Sequence, residues 1–211
     1  MKIYREVFSP IEENTFVITG DDTSCIIIDC GCYGKREEKR LEDLLDFLKL
    51  EPVLLLNTHC HLDHVFGNGF MFSRYGLSAR CHPGEAYNLS SAPEHARMFG
   101  LNMDTPPEPG LCLCDGEIIE AAGLSLEVIA VPGHSPGGVA FLIRNEGVLF
   151  TGDALFAGSI GRSDLPGGHH KTLIKSITER LFTLPEETVV YPGHGPETTI
   201  GHELNTNSFF K

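Results

Sequence analysis

Short apolar runs separated by polar residues near the start of the chain are typical of β-strands. We predict strands over residues 3–8, 15–18 and 25–28. Over residues 35–48 the apolar positions recur at helical spacing, which predicts a helix with one buried face. Residues 53–56 are apolar throughout, and such a run favours a strand that is buried on both faces.

The middle of the chain has a different pattern. A second helix is predicted over residues 66–75, where aromatic residues and a methionine supply an apolar side. Residues 91–115 are rich in proline, and we expect Pro93 and Pro106 to break regular structure there. We interpret residues 91–115 as a long, partly helical excursion. Long loops in compact domains are often functional, so it is either a flap over a site or a surface elaboration.

The second half of the chain repeats the order of strands, helix and strand. The predicted elements are strands over residues 117–119, 124–131, 139–143 and 148–150, a helix over 172–182, and a strand over 188–191. This order in both halves predicts two sheets with helices outside them. The fold class expected for residues 1–211 is α+β: a four-layer αββα sandwich that forms a single domain.

The composition fits a globular protein and argues against two kinds of partner. A hydrophobic share of 41% allows a sizeable core. The formal net charge of -13 repels phosphate backbones, so we expect no nucleic-acid partner. No apolar run approaches the roughly 18 residues that a membrane helix needs. Because the N-terminus also shows no apolar signal segment, we expect a cytoplasmic protein without a membrane partner. The sequence does not predict the oligomeric state.

The densest cluster of chemically reactive side chains lies directly after the predicted strand over residues 53–56. His59, His61, Asp63 and His64 place three imidazoles and one carboxylate close together in the chain. An extended backbone points His59 and His61 to the same side. Imidazole and carboxylate are ligands that suit zinc, iron or manganese, so this loop is a candidate metal site.

Three further candidates follow predicted strands. His134 and His194 share the pattern Pro-Gly-His-x-Pro, so the two halves are expected to present a histidine from equivalent strand-end loops. Asp153 follows the strand over residues 148–150. A single carboxylate has two oxygens and can therefore bridge two cations.

This set of motifs resembles the metallo-β-lactamase superfamily in both order and spacing. Within it, residues 58–64, 132–138, 152–161 and 192–199 are similar to the glyoxalase II (hydroxyacylglutathione hydrolase) branch. The resemblance is closest to the short bacterial members, which lack the C-terminal domain that binds glutathione.

The resemblance implies a role for each candidate residue. It implies that His59, His61 and His134 hold one metal, and that Asp63, His64 and His194 hold a second. Asp153 is expected to bridge the two metals, Asp29 to lie behind the histidine loop, and Arg162 to bind the substrate. Asp63 and Asp153 are then the candidate catalytic residues, with Asp63 acting as a ligand and at most as a proton shuttle.

The implied function is metal-dependent hydrolysis of a small, anionic thioester such as S-lactoylglutathione. Two divalent metal ions per chain are expected, zinc first, with iron or manganese as alternatives. A hydroxide held by the metals would attack the carbonyl. A thioester suits a site without an obvious general acid, because a thiol with a pKa of about 8.5 leaves well as a thiolate.

The same motifs leave one other enzyme class open. Persulfide dioxygenases share them but use a single iron, so a mononuclear-iron oxidoreductase is the alternative. A β-lactamase is less expected, because no export signal is visible and the two-zinc enzymes carry Cys at the position of Asp153. A non-catalytic binding module would be expected to have lost ligands, and every ligand position of the motif is present here.

Overall fold

The computed structural model describes residues 1–21 and 23–211 and contains two main β-sheets. The strands, in chain order, are β1 (Lys2–Phe8), β2 (Glu13–Thr19), β3 (Ser24–Ile28), β4 (Glu51–Leu56), β5 (Ile118–Ala121), β6 (Leu124–Ala130), β7 (Val139–Ile143), β8 (Val148–Gly152), β9 (Leu155–Phe156), β10 (Ser159–Ile160), β11 (Val189–Pro192) and β12 (Thr198–Thr199). The α-helices are α1 (Gly34–Leu48), α2 (Leu62–Val65), α3 (Asn68–Tyr75), α4 (Ala86–Met98), α5 (His170–Ser176) and α6 (Ile200–Thr206). A π-helical segment, Ile177–Leu181, continues α5, and short 3₁₀ turns lie at Pro83–Glu85, Arg144–Glu146 and Ser208–Phe210.

The direction of the strands brings several strand ends to one edge. The first sheet has the order β1-β2-β3-β4, the second has the order β12-β11-β8-β7-β6-β5, and β9 and β10 form a separate hairpin. In the second sheet β8 is parallel to β11, and β7 is antiparallel to both β8 and β6. It follows that β6, β8 and β11 run the same way and end at the same edge. In the first sheet, β3 and β4 are also parallel to each other.

Alternating side chains on the strands face two different cores. In β7, Val139, Phe141 and Ile143 lie in the core between the sheets, whereas Ala140 and Leu142 face the helices of the second sheet. Side chains on the strands of the first sheet alternate in the same way. One set lies in the inter-sheet core, and the other packs against α1 and α3. Helix, sheet, sheet and helix form four layers, which confirms the predicted αββα sandwich.

The helices cover the outer faces of the sheets with apolar side chains. Leu41 and Leu45 of α1 and Met71 of α3 pack against the first sheet. Leu173 of α5 and Ile200 of α6 pack against the second. Within residues 1–21 and 23–211, no helix combines the length and the apolar content that crossing a membrane requires.

Two elements of the first half differ from the prediction. The helix expected over residues 66–75 is found as α3, which begins at Asn68 because the chain turns at Gly67, and the short helix α2 before it was not predicted. A Cβ at Gly67 would lie 2.5 Å from the sulfurs of both Cys30 and Cys32. The strand over residues 53–56 is buried on both faces at its C-terminal end, where Leu55 faces α1 and α3 and Leu56 lies in the inter-sheet core, whereas Val53 is 44% exposed.

The proline-rich excursion is also more regular than expected. Pro93 lies inside α4 and does not break it, so that expectation was wrong. A proline removes one helical hydrogen bond. Here Leu89, Ala92 and Ala96 form a buried stripe that packs against the apolar side of α2, and this tertiary packing outweighs the local preference. No helix or strand is found over residues 101–117, all of which the structure describes.

We expect Phe150→Ala to lower the free energy of unfolding by about 3–5 kcal/mol. Phe150 is fully buried, and its ring lies 5.1 Å from Phe16 of the first sheet and 5.4 Å from Tyr191. Urea denaturation monitored by circular dichroism measures the change. Phe47→Ala is the matched control, because Phe47 is 82% exposed and should change stability by about 0.5 kcal/mol or less. Equal losses in the two variants would contradict the inter-sheet core.

Candidate metal centre

The loops that follow strands of both sheets converge at one place. His59 follows β4 of the first sheet, whereas His134, Asp153 and His194 follow β6, β8 and β11 of the second. The prediction that His134 and His194 come from the two halves was wrong in one respect. Both follow strands of the same sheet, and the shared Pro-Gly-His pattern reflects two parallel strands that end at the same edge.

Hydrogen bonds join the two sheets beside the centre. Asn14, at the start of β2, donates its backbone N–H to the carbonyl of Gly193 over 2.7 Å. The Asn14 side-chain amide donates to the carbonyls of Pro192 and Gly195, both over 2.9 Å. These contacts hold the loop of His194 against the first sheet.

The first group of ligand atoms consists of three imidazole nitrogens. Nε2 of His134 lies 2.8 Å from Nδ1 of His61 and 3.2 Å from Nε2 of His59. Ligand atoms of these three side chains all lie within 4.8 Å of one another. Three nitrogens that face the same small volume could hold a divalent metal ion.

The second group combines one carboxylate and two imidazoles. Oδ2 of Asp63 lies 3.1 Å from Nε2 of His194 and 3.7 Å from Nε2 of His64. Ligand atoms of Asp63, His64 and His194 also lie within 4.8 Å of one another. This group could hold a second ion.

Asp153 lies between the two groups. Its Oδ2 is 3.6 Å from Nε2 of His134 in the first group and 3.6 Å from Nε2 of His194 in the second. Its Oδ1 is 3.3 Å from Nε2 of His64. One carboxylate therefore faces both groups, which is the arrangement that bridging two cations requires.

Unsatisfied buried atoms show that these residues fit a metal. Nε2 of His64 and Oδ1 of Asp153 are buried, and although they lie 3.3 Å apart, neither has a hydrogen-bond partner among the described residues. Burying such a polar atom without a partner is costly. Metal coordination would satisfy both atoms, because each lies among the ligand atoms of the two groups.

Hydrogen bonds on the far side of the rings fix their orientation. Nδ1 of His64 donates to Asp29 over 3.0 Å, Nδ1 of His134 to the carbonyl of Arg162 over 2.7 Å, and Nδ1 of His194 to the carbonyl of Glu12 over 3.1 Å. A proton held on Nδ1 leaves the lone pair of Nε2 directed at the centre. Asp29 is thus found where the resemblance placed it, behind the histidine loop.

Asp29 also orders the loop itself. Its Oδ1 accepts the backbone N–H of Thr58 over 2.8 Å, and its Oδ2 accepts the Thr58 hydroxyl over 2.6 Å. The hydroxyl oxygen of Thr58 lies 3.1 Å from Nδ1 of His59, which therefore donates to it. One carboxylate consequently orients ligands of both groups.

Burial keeps the imidazoles of His59 and His61 neutral. Burial, together with the neighbouring His64 and His61, holds the pKa of His59 well below its usual range. Burial and His134 lower the pKa of His61 to about 4. Neutral imidazole is the form that binds a metal, so these two side chains are ready to coordinate without losing a proton.

Opposite charges dominate the second group. Burial alone would lower the pKa of His64, but the carboxylates of Asp153, Asp29 and Asp63 outweigh it and raise that pKa well above its usual range. In return, the charge of His64 overcomes burial and holds the pKa of Asp153 well below its usual range. The pKa of Asp63 is lowered for the same reason. A metal ion and a proton therefore compete for Nε2 of His64.

Two glycines allow the loops to approach one another. A Cβ on Gly193 would lie 2.3 Å from Oδ1 of Asp153, closer than side chains tolerate. Gly152 has a φ of +49°, and a Cβ there would lie 2.2 Å from the hydroxyl oxygen of Thr58. The glycines beside His194 and Asp153 thus serve close packing of backbone against ligands.

Arg162 lies at the wall of the cavity over the centre and not among the ligands. Its guanidinium pairs with Asp164, with Nε and Nη2 each 2.8 Å from a carboxylate oxygen, and its side chain is 58% exposed. Asp164 raises the pKa of Arg162 above its already high usual value. The side chain is thus a charged group at the mouth, while its backbone carbonyl orients His134.

Sequence reasoning missed Glu85, which links the two ligand loops. This carboxylate is fully buried. Its Oε2 accepts the backbone N–H of Cys60 over 2.9 Å, and its Oε1 accepts the backbone N–H of Gly137 over 2.7 Å. The amide of Asn88 donates to Oε2 as well, over 2.8 Å. An acidic residue before a helix is common, so nothing in the local pattern distinguishes it.

Relatives of known sequence match almost the whole chain. The chain is 35% identical to the probable metallo-hydrolase YqgX of Bacillus subtilis, over 99% of this chain and 97% of that protein. It is 37% identical to the hydroxyacylglutathione hydrolase GloC of Haemophilus influenzae, over 94% of this chain and 92% of the relative. The glyoxalase II-like resemblance therefore has a full-length counterpart of similar size.

Solved structures match the fold equally well. The BLEG-1 B3 metallo-β-lactamase superposes with a TM-score of 0.91 at 33% identity and covers 100% of both chains. The di-iron-bound form of TTHA1623 superposes with a TM-score of 0.87 at 38% identity, covering 98% of this chain and 99% of the other. The model of the metallo-beta-lactamase superfamily matches residues 9–194, so the chain belongs to that superfamily.

Proposed function

We propose that this protein is a binuclear metal-dependent hydrolase that cleaves a thioester such as S-lactoylglutathione. The position of Asp153 between two groups of ligand atoms carries the proposal, because that arrangement suits a pair of ions. The identity of 37% to a hydroxyacylglutathione hydrolase supports the choice of substrate. The 38% identical TTHA1623, solved with two irons, supports the choice of a metal pair.

The proposal assigns a role to each residue at the centre. One ion would be held by His59, His61 and His134, the other by Asp63, His64 and His194, with Asp153 shared. The nitrogen and oxygen ligands suit zinc, iron or manganese, and we expect zinc first. When bound, such a pair supplies an activated water and polarises the substrate carbonyl.

The protein's own groups contribute orientation and electrostatics. Asp29 fixes His64 directly and His59 through Thr58. Asp63 and Asp153 are the catalytic residues in this proposal, because they lie where the reacting carbonyl and water must approach. A thiolate leaves without being protonated, so the reaction needs no further acid at the leaving sulfur. Arg162, at the cavity wall, would attract a negatively charged group of the substrate.

The first test measures metal content and substrate turnover together. We expect close to two metal ions per chain by elemental analysis, and hydrolysis of S-lactoylglutathione by the zinc- or iron-loaded protein. A cephalosporin is assayed in parallel, since BLEG-1 is described as a β-lactamase. Glutathione persulfide with an oxygen electrode tests the alternative chemistry.

The outcomes separate the enzyme classes. One iron per chain with oxygen uptake would replace the proposal with a persulfide dioxygenase. Turnover of the cephalosporin without thioester cleavage would replace it with a β-lactamase.

Asp153→Ala tests the bridging position. We expect about half the metal to be lost and kcat to fall by at least about 100-fold, because a group aimed at the reacting charge is removed. Asp43→Ala is the matched control, since Asp43 lies on α1 and its side chain is 63% exposed. An Asp153→Ala protein with two metals and full activity would rule out the bridging role.

Glu85→Gln tests the link between the two ligand loops. The Glu85 carboxylate accepts the backbone N–H groups of Cys60 and Gly137. In the variant the side-chain NH₂ would face one of these two donors, so one hydrogen bond would be lost. We expect a loss of about 1–3 kcal/mol in the free energy of unfolding of the metal-free protein. We also expect faster metal release to a chelator.

The control for that variant is Glu94→Gln, an exposed glutamate of α4. Both variants are compared by urea denaturation and by the rate of metal transfer to a chromophoric chelator. If Glu85→Gln and Glu94→Gln behave alike, the carboxylate is not what holds the loops together.

A further inference from the structure

The cavity over the metal centre has a mainly apolar wall. Its volume is about 500 Å³, and ligand atoms of His61, Asp63, His134, Asp153 and His194 lie at its base. The apolar wall is formed by Leu62, Met98, Phe99, Phe156, Leu165 and Pro166. A cavity of this size can enclose most of a small organic ligand.

Part of that apolar wall is exposed to water. Met98 is 78% exposed and Phe99 is 61% exposed, and both lie where α4 ends beside the cavity. Other parts of the wall come from β9 and from the segment after β10, at Phe156 and Leu165. Exposed apolar side chains that rim a cavity are typical of a surface covered by a ligand.

The charge around the cavity is poorly suited to an anionic carrier. Among the described residues that line it, Arg162 is the one lysine or arginine. Two of its nitrogens are already bound to Asp164. Glutathione carries two carboxylates and one ammonium at neutral pH. A formal net charge of -13 adds to the repulsion of such a carrier.

We propose that the preferred substrates are thioesters that carry an aliphatic or aromatic arm next to the scissile bond and at most one anionic group. This inference rests on the proposed thioester hydrolysis and specifies its substrate class. The arm packs against the apolar wall, which includes Met98 and Phe99 at the end of α4 as well as Phe156 and Leu165. The carbonyl then lies over the ligand atoms. Arg162 attracts the single negative charge, where the substrate has one.

Four synthetic thioesters test the preference with the metal-loaded protein. S-phenylacetyl-N-acetylcysteamine and S-lactoyl-N-acetylcysteamine share a thiol and differ in the acyl arm. S-lactoyl benzylmercaptan and S-lactoylglutathione share an acyl group and differ in the carrier. We expect kcat/KM for at least one of the two aromatic compounds to exceed that for S-lactoylglutathione by about tenfold or more, as burial of a phenyl group predicts.

Phe99→Ala tests whether the wall makes the selection. We expect KM for the preferred aromatic thioester to rise about fivefold or more, because apolar contact area is lost. The control is Phe47→Ala, which removes an equally large exposed ring from α1, away from the cavity. Thermal melts of both variants check that the fold is retained. The inhibition constants of phenylacetate and lactate, measured as competitive inhibitors, report binding separately from turnover.

The possible outcomes test the substrate preference separately from the proposed hydrolase activity. Preference for an aromatic thioester, weakened by Phe99→Ala and not by Phe47→Ala, supports the inference. If S-lactoylglutathione is the best substrate, or if Phe99→Ala leaves the preference unchanged, the inference is overturned while the proposed hydrolase activity stands. If no thioester is cleaved, the proposed function falls, and the inference falls with it.

Discussion

The meeting of two sheets at the edge where their parallel strands end is the constraint on which the centre depends. The ligand residues lie in the loops that follow β4, β6, β8 and β11. Their ligand atoms are a few ångströms apart only because the inter-sheet core fixes the distance between the two sheets. Asn14 reinforces that distance by binding three carbonyls of the loop that carries His194. Because each ligand group combines residues that follow β4 with a histidine that follows a strand of the second sheet, a shift of one sheet against the other would pull both groups apart.

The same convergence buries polar and ionised groups together, which is unfavourable for the free energy of folding. His64 and Asp153 bury polar atoms that lack a hydrogen bond from any residue the structure describes, and several ionised groups share one small volume. Buried charges of this kind seldom stabilise a protein by themselves. The surrounding hydrogen bonds from Asp29 and Glu85 hold the groups in place. Preorganised ligands of this type bind metal with little further loss of entropy.

Local chemistry and regular periodicity were predictable from the sequence, and relations between distant segments were not. The spacing of His59, His61, Asp63 and His64 identified the first loop, and the apolar run over residues 139–143 predicted the strand that is β7. Val53 is 44% exposed although residues 53–56 are apolar throughout, because its burial depends on distant segments that no local pattern contains. Pro93 stays helical, and Glu85 links two loops, because of packing partners far away in the chain.

The centre and its cavity wall differ in how firmly the fold determines them. The ligand atoms sit on strand ends inside the sandwich, so their geometry follows from the fold itself. Met98 and Phe99 end a helix at the surface, and Leu165 lies in a segment without regular structure, so their replacement would disturb no core. Substitution there can change the substrate while the metal chemistry is retained. A hydroxyacylglutathione hydrolase and a β-lactamase can therefore both resemble this chain over nearly its whole length. Under the proposed function, the residues of the wall, more than the ligands, would therefore select the substrate.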